Sequence, residues 1–242
     1  MSKNHATLTA TADAGIANAF AWVQPREITE SAFRALCAAG AEPAEAREGS
    51  LAVLRAEVDA RNGLALLEQL LAAAWTQPLR AAATRSTEWA GVTIHELDCP
   101  DQPGLRSALE LIDLALSGSP MEVRVSRTTV AGIPQELWSD LILRRSATQQ
   151  RTIIVAVTTA AGTKYLSIHN GAVMLANQPP STAMPASLLP QMDGDNTVIV
   201  VLPGTAEPEK ITATIPQNPL KVSENEWLRM YQLSRNYLMA DQ

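Results

Sequence analysis

Apolar and polar positions change their pattern twice along the chain. From Thr29 the spacing is helical: Thr29 can cap, Glu30 suits the first turn, Phe33, Leu36 and Cys37 fall on one face, and Gly40 closes the helix. Pro43 fits the first position of a second helix with Leu51, Leu54 and Val58 on one stripe, closed by Asn62-Gly63. A third stripe, Leu67, Leu70, Leu71, Ala74 and Trp75, runs up to Pro78. None of these helices can bury its stripe alone, so the short connections predict an antiparallel three-helix bundle. Ahead of it, Ala14 to Val23 predicts a short helix stopped at Pro25, behind a small polar segment.

After Pro78 the helical signal lapses. Ala81 to Glu88 reads as a connection and Trp89 to Leu97 as a strand. A fourth helix aligns Leu105, Leu109, Ile112 and Leu116 and ends at Gly118 and Pro120. Val123 and Val125 alternate with charged residues as in a half-buried strand, and Pro134 opens a helix to about Arg145. From residue 151 to 177 the pattern becomes β. Three strand-like runs are separated by Ala160-Ala161-Gly162 and by Asn170-Gly171, a strong hairpin dipeptide, which predicts a three-stranded meander. A proline-rich loop fills 178–195; Thr197 to Leu202 and Lys210 to Ile215 predict another strand pair. Ser223 to Glu226 has the S-x-x-E form of a capping box, ahead of a helix with Trp227, Met230, Tyr231 and Leu238 on its packing face. The expected class is α+β: an N-terminal three-helix bundle, then an antiparallel sheet with flanking helices and a C-terminal helix. The expected division is a flexible segment 1–26, a helical bundle 27–78 and an α+β domain 79–242.

Composition narrows the function. Of 242 residues 46% are hydrophobic and 18% charged, the balance of a folded chain, and with five Trp, three Tyr and two Phe the core must be mainly aliphatic. The net charge of −6 opposes contact with phosphate backbones, and in the most basic stretch Glu122, Glu136 and Asp140 lie among Arg124, Arg127, Arg144, Arg145 and Arg151, so no nucleic-acid partner is expected. No long apolar run spans a membrane, and the opening MSKNHATLTATADAG has no apolar core of a signal peptide. Cys37 and Cys99 form no CxxC pair. A cytoplasmic location with reduced thiols is the expectation.

Motifs of chemistry are sparse. No G-x-G-x-x-G, P-loop or G-x-S-x-G occurs, so no cofactor site is expected, and no two of the three histidines share a metal-ligand spacing, so none is expected for a metal. Glu45 and Glu48 read as solvated surface carboxylates. The densest group is His95-Glu96-Leu97-Asp98-Cys99. In a strand, His95 and Cys99 face one way and Glu96 and Asp98 the other. A Cys–His pair can act as nucleophile and base, though residues four apart in a strand stand about 13 Å apart. His95, Asp98 and Cys99 are the candidate catalytic residues. Met184, Leu188, Leu189 and Met192 in the proline-rich loop read first as packing on their own domain.

Two resemblances bear on this. The segment EITESAFRALCAAGAEPAEAREGSLAVLRAEVDARNGLALLEQLLAAA and the closing VSENEWLRMYQLSRNYLMADQ resemble the two ends of a bacterial family known only as a domain of unknown function. The first segment is also similar to the N-terminal helices of the malate/L-lactate dehydrogenase family that lacks a Rossmann fold, through an Ala-Gly helix end, an acidic helix, then Asp59, Arg61 and Gly63. That family continues with Ser-His-Gly, whose histidine carries catalysis; here Leu64-Ala65-Leu66 follows.

The expectation is therefore an accessory or binding protein of bacterial metabolism without catalytic machinery. Its partner would be a protein or a small-molecule ligand, with a homo-oligomer open. The alternative is a metabolic enzyme whose site gathers dispersed residues including His95, Asp98 and Cys99.

Overall fold

The computed structural model describes residues 19–73, 75, 83–89, 91–98, 102–119, 121–130, 133–149, 151–169, 172–180, 196–203 and 217–238. Strand β1 (Phe20–Val23) precedes helices α1 (Pro25–Ala39), α2 (Pro43–Ala60) and α3 (Gly63–Leu71). Strands β2 (Ala83–Trp89) and β3 (Val92–Asp98) lead to α4 (Gly104–Leu116), β4 (Arg124–Thr128) and α5 (Gln135–Gln149). Strands β5 (Ile153–Thr159), β6 (Gly162–His169), β7 (Ala172–Ala176), β8 (Asn196–Val201) and β9 (Leu220–Ser223) are followed by α6 (Glu224–Arg235). The class is α+β.

Pro25 opens α1 rather than stopping a helix before it, because a proline's missing N–H costs nothing at a first helical position. The Glu27 side chain accepts the Gln24 N–H at 2.8 Å, and Phe20–Val23 is extended, paired antiparallel with β9. Gly40 ends α1 with φ 106, a left-handed conformation that its missing Cβ makes accessible. At α3, Asn62 gives its side chain to Glu136 at 3.1 Å, and the buried Glu57 carboxylate accepts the Gly63 N–H at 3.1 Å instead. Trp75, expected on α3, lies beyond its end and is buried, its indole N–H donating to the Leu70 carbonyl at 2.8 Å.

Among the described residues the larger sheet runs β2-β3-β4-β8-β5-β6-β7, and β1-β9 form a separate ribbon. The meander of β5, β6 and β7 is antiparallel throughout; Gly162 starts β6 with φ 115, and the Asn170-Gly171 connection lies outside the described residues. Three features depart from expectation. Residues 83–88, read as a connection, belong to β2. The pair β3 and β4 is parallel, joined by α4, so the sheet is mixed rather than purely antiparallel. Strand β8 runs between β4 and β5, while 210–215 lies outside the described residues.

One core joins the helices to one face of the sheet. Leu36, Val53, Leu67, Leu111, Trp138, Ile153, Val155 and Ile199 belong to a single buried cluster. Ile94, Val125, Ile154, Ala156, Val198 and Val200 form a second cluster on the opposite face. Burial on both faces explains why the central strands read as continuous apolar runs. A Cβ on Gly49 would stand 2.8 Å from the Leu36 and Leu105 side chains, so any larger residue there would force these two buried leucines to shift.

Candidate functional site

The parallel crossover builds a corner. Strands β3 and β4 end side by side, and β2, antiparallel to β3, begins there. Ala83, Arg85, Glu96, Leu97, Asp98, Arg127, Thr128 and Thr129 line a cleft of about 280 Å³ at this corner. In open sheets with parallel strands, ligands bind outside the strands' carboxyl ends, where connections diverge. The Ser126 hydroxyl donates to the Leu111 carbonyl at 2.7 Å, fixing β4 against α4 on the sheet's other side.

Charge in this cleft is paired across the sheet. Glu96 stands between Arg85 on β2 and Arg127 on β4 in register. The Arg127 guanidinium NH2 binds the Glu96 carboxylate, yet the Arg127 Nε is buried with no hydrogen-bond partner. A buried donor without an acceptor costs about 1–3 kcal/mol, which a ligand oxygen or a water would offset. Asp98 is exposed on the same face as Glu96.

His95 sits elsewhere. It points to the helix side of the sheet, its Nδ1 3.0 Å from Ser86 Oγ and its Nε2 3.0 Å from Arg124 NH1. A guanidinium only donates, so Nε2 is the acceptor; the neutral ring then carries its proton on Nδ1 and donates to Ser86. Burial, then the Arg124 charge, lowers the His95 pKa. Gly118 (φ 135) makes room for that guanidinium, since a Cβ there would fall on Arg124. The structure therefore separates His95 from Asp98, and Cys99 lies outside the described residues. Sequence reasoning did not single out Arg85 and Arg127, which line the cleft beside Glu96, a member of the dense group. Among the described residues no group of three His, Cys, Asp or Glu side chains could hold a metal ion.

Glu45 and Glu48 are not solvated carboxylates. Arg106 of α4 grips Glu45 through two nitrogens, one at 2.8 Å, and Arg144 of α5 binds Glu48 at 2.7 Å and Asp140 at 2.7 Å. These pairs tie α2 to α4 and α5. Among the described residues, no helix is long and apolar enough to cross a membrane.

The sequence matches no family model and no curated protein. Its fold is similar to that of a dehydrogenase from Sinorhizobium meliloti, with a TM-score of 0.52 at 10% identity over 89% of this chain and 100% of that one. Two other similar structures are the malate dehydrogenase of Pyrococcus horikoshii OT3 (TM-score 0.46, 13% identity, 92% of this chain) and the delta1-piperideine-2-carboxylate reductase of Pseudomonas syringae pvar. tomato (0.48, 11%, 88% of this chain and 99% of that one). The chain spans 66% of the length of the Pyrococcus protein. The expectation of an accessory protein without catalytic machinery is corrected here: the architecture is one that a dehydrogenase uses.

Proposed function

We propose that this chain is a metabolic enzyme acting on a small anionic substrate, a carboxylate, in the cleft at the ends of β3 and β4. The observation that carries the reading is the buried, unpartnered Nε of Arg127 on the cleft wall. A guanidinium with one edge held by Glu96 presents its remaining donors as a fork for a carboxylate. Arg85, exposed on the facing strand, supplies the second positive charge. Asp98 is the group within the cleft that can take a proton from a substrate hydroxyl or return one, as general acid–base chemistry requires. His95 faces the other side of the sheet and has no part in it.

The likeness to the Sinorhizobium dehydrogenase supports an oxidoreductase as the reaction class. The cleft, at about 280 Å³, lies at the small end of ligand pockets and suits a substrate of few atoms, not a dinucleotide. What Arg127, Arg85 and Asp98 supply is therefore the substrate end of the reaction.

A thermal-shift screen of 2-hydroxy and 2-oxo carboxylates, with phosphate and chloride as controls, tests the reading. A ligand at a hundred times its Kd adds about 2.7 kcal/mol of stability, an unmistakable rise in Tm. At least one carboxylate should raise Tm, and Arg127→Gln should remove the effect. A silent panel, or a shift that survives in Arg127→Gln, rejects the cleft as the site.

A further inference from the structure

The seven-stranded sheet has two edges of opposite character. Strand β2 carries Arg85 and Glu88, charges of the kind that deter strand addition. Strand β7, Ala-Val-Met-Leu-Ala, carries none, and among the described residues only β6 pairs with it. Met174 and Leu175 stand on opposite faces of the strand and remain 51% and 46% exposed, so each face of the strand keeps a half-exposed apolar side chain. Val173, by contrast, packs against the main core and anchors the strand.

We infer that this edge is a self-association surface, on which β7 of one copy pairs antiparallel with β7 of a second copy about a two-fold axis at Met174. The sequence supplies the reason. A two-fold axis demands a self-complementary patch, and Ala172–Ala176 reads almost the same in both directions. In that register Val173 of each copy faces Leu175 of the other, Met174 faces Met174, and alanines meet at the ends. Charge points the same way. Copies of a chain with a net charge of −6 repel one another, and a segment without charge is where they approach at least cost. One short strand buries less than the ~1,200 Å² of a stable interface, so the dimer is weak and depends on concentration.

Sedimentation velocity of the full chain, from low micromolar to submillimolar concentration, tests this. The weight-average sedimentation coefficient should climb toward that of a dimer. Met174→Lys and Met174→Glu should each hold the chain monomeric, because like charges then face each other across the axis. An equimolar mixture of the two should dimerise again, Lys opposite Glu, an outcome that only pairing centred on residue 174 gives. Wild-type protein that stays monomeric overturns the inference, as does a charged variant that dimerises like wild type or a mixture that fails to associate. Should either variant lose its cooperative melt, Met174→Cys replaces it. Oxidation must then yield a covalent dimer whose peptide map shows the 174–174 link, and its absence also overturns the inference.

Discussion

His95 and Asp98, three residues apart on β3, stand on opposite faces of the sheet. Their neighbours show it: Ile94 joins the apolar cluster on one face and Leu97 the helix-packed core on the other. Strand periodicity of two forbids the pair from sharing a site. His95→Gln should therefore leave the carboxylate-induced Tm shift unchanged, while Asp98→Asn keeps binding but lowers turnover by about 10²-fold, the lower end of general acid–base contributions. The two are read by thermal shift and by product formation with the ligand that the screen identifies. Loss of the Tm shift in His95→Gln would reject the assignment of faces to roles.

Much of the fold was legible because it rests on local signals. Gly40, Pro43, Gly162 and the alternation of β6 each act within a few residues of themselves. What was not legible depends on partners far away in sequence. Residues 83–88 are all exposed and carry no apolar rhythm; they become a strand only because β3 offers a ladder to pair with. Glu45 and Glu48 look like surface carboxylates until α4 and α5 bring Arg106 and Arg144 against them. The site follows the same rule. Asp98 stood out through its local cluster, but Arg127 reaches Glu96 only through the parallel pairing of β4 with β3, and no short-range pattern encodes that.

The ion pair of Arg106 with Glu45 should be among the costliest polar contacts to break. Their side chains are only 8% and 15% exposed, and Arg106 also lies 5.9 Å over the Trp75 ring. Glu45→Leu leaves a buried guanidinium without its counter-charge, which should cost about 3 kcal/mol. The double variant Glu45→Leu/Arg106→Met should recover most of that, because two apolar side chains of similar volume replace both charges. Urea denaturation of the two singles and the double gives the coupling. Purely additive losses would mean the pair contributes no specific interaction.

Glu110 makes the stability of the fold depend on pH. Its Oε2 is buried with no hydrogen-bond partner. Burial, the largest cause, raises its carboxyl above the ordinary 4.5; Glu45 adds to this and Arg106 opposes it. The folded chain thus holds this proton more tightly than the unfolded chain. Between 4.5 and the raised folded value, stability falls as pH rises, and above that window the ionised carboxylate is a standing penalty. Glu110→Gln should raise the urea midpoint at neutral pH and lose that advantage below pH 4.5. An equal midpoint difference at both pH values would show that ionisation of Glu110 is not the cause.

The C-terminal helix separates capping from docking. Ser223 occupies the N-cap of α6, yet its side chain makes no capping hydrogen bond, contrary to the expected capping box. The start of the helix is held instead by the Glu224 N–H, which donates to the Ala19 carbonyl at 2.9 Å beside the β1-β9 ribbon. Docking does the rest. Met230 is buried at 4% exposure, Trp227 packs partly against the main core, and Arg229 meets Glu68 of α3 at 3.2 Å. Tyr231 stays outside, half exposed, its ring 6.2 Å from that of Trp227. Ser223→Ala should therefore shift the denaturation midpoint by less than the ~1 kcal/mol of a bonded cap. Met230→Ala should cost about 2–3 kcal/mol, the loss expected of a buried thioether chain. Trp227→Ala should fall between them, since only part of its ring is removed from water. The order of the three midpoints is the test. A Ser223→Ala loss equal to that of Met230→Ala would mean that the cap, not the docked face, holds this helix to the protein.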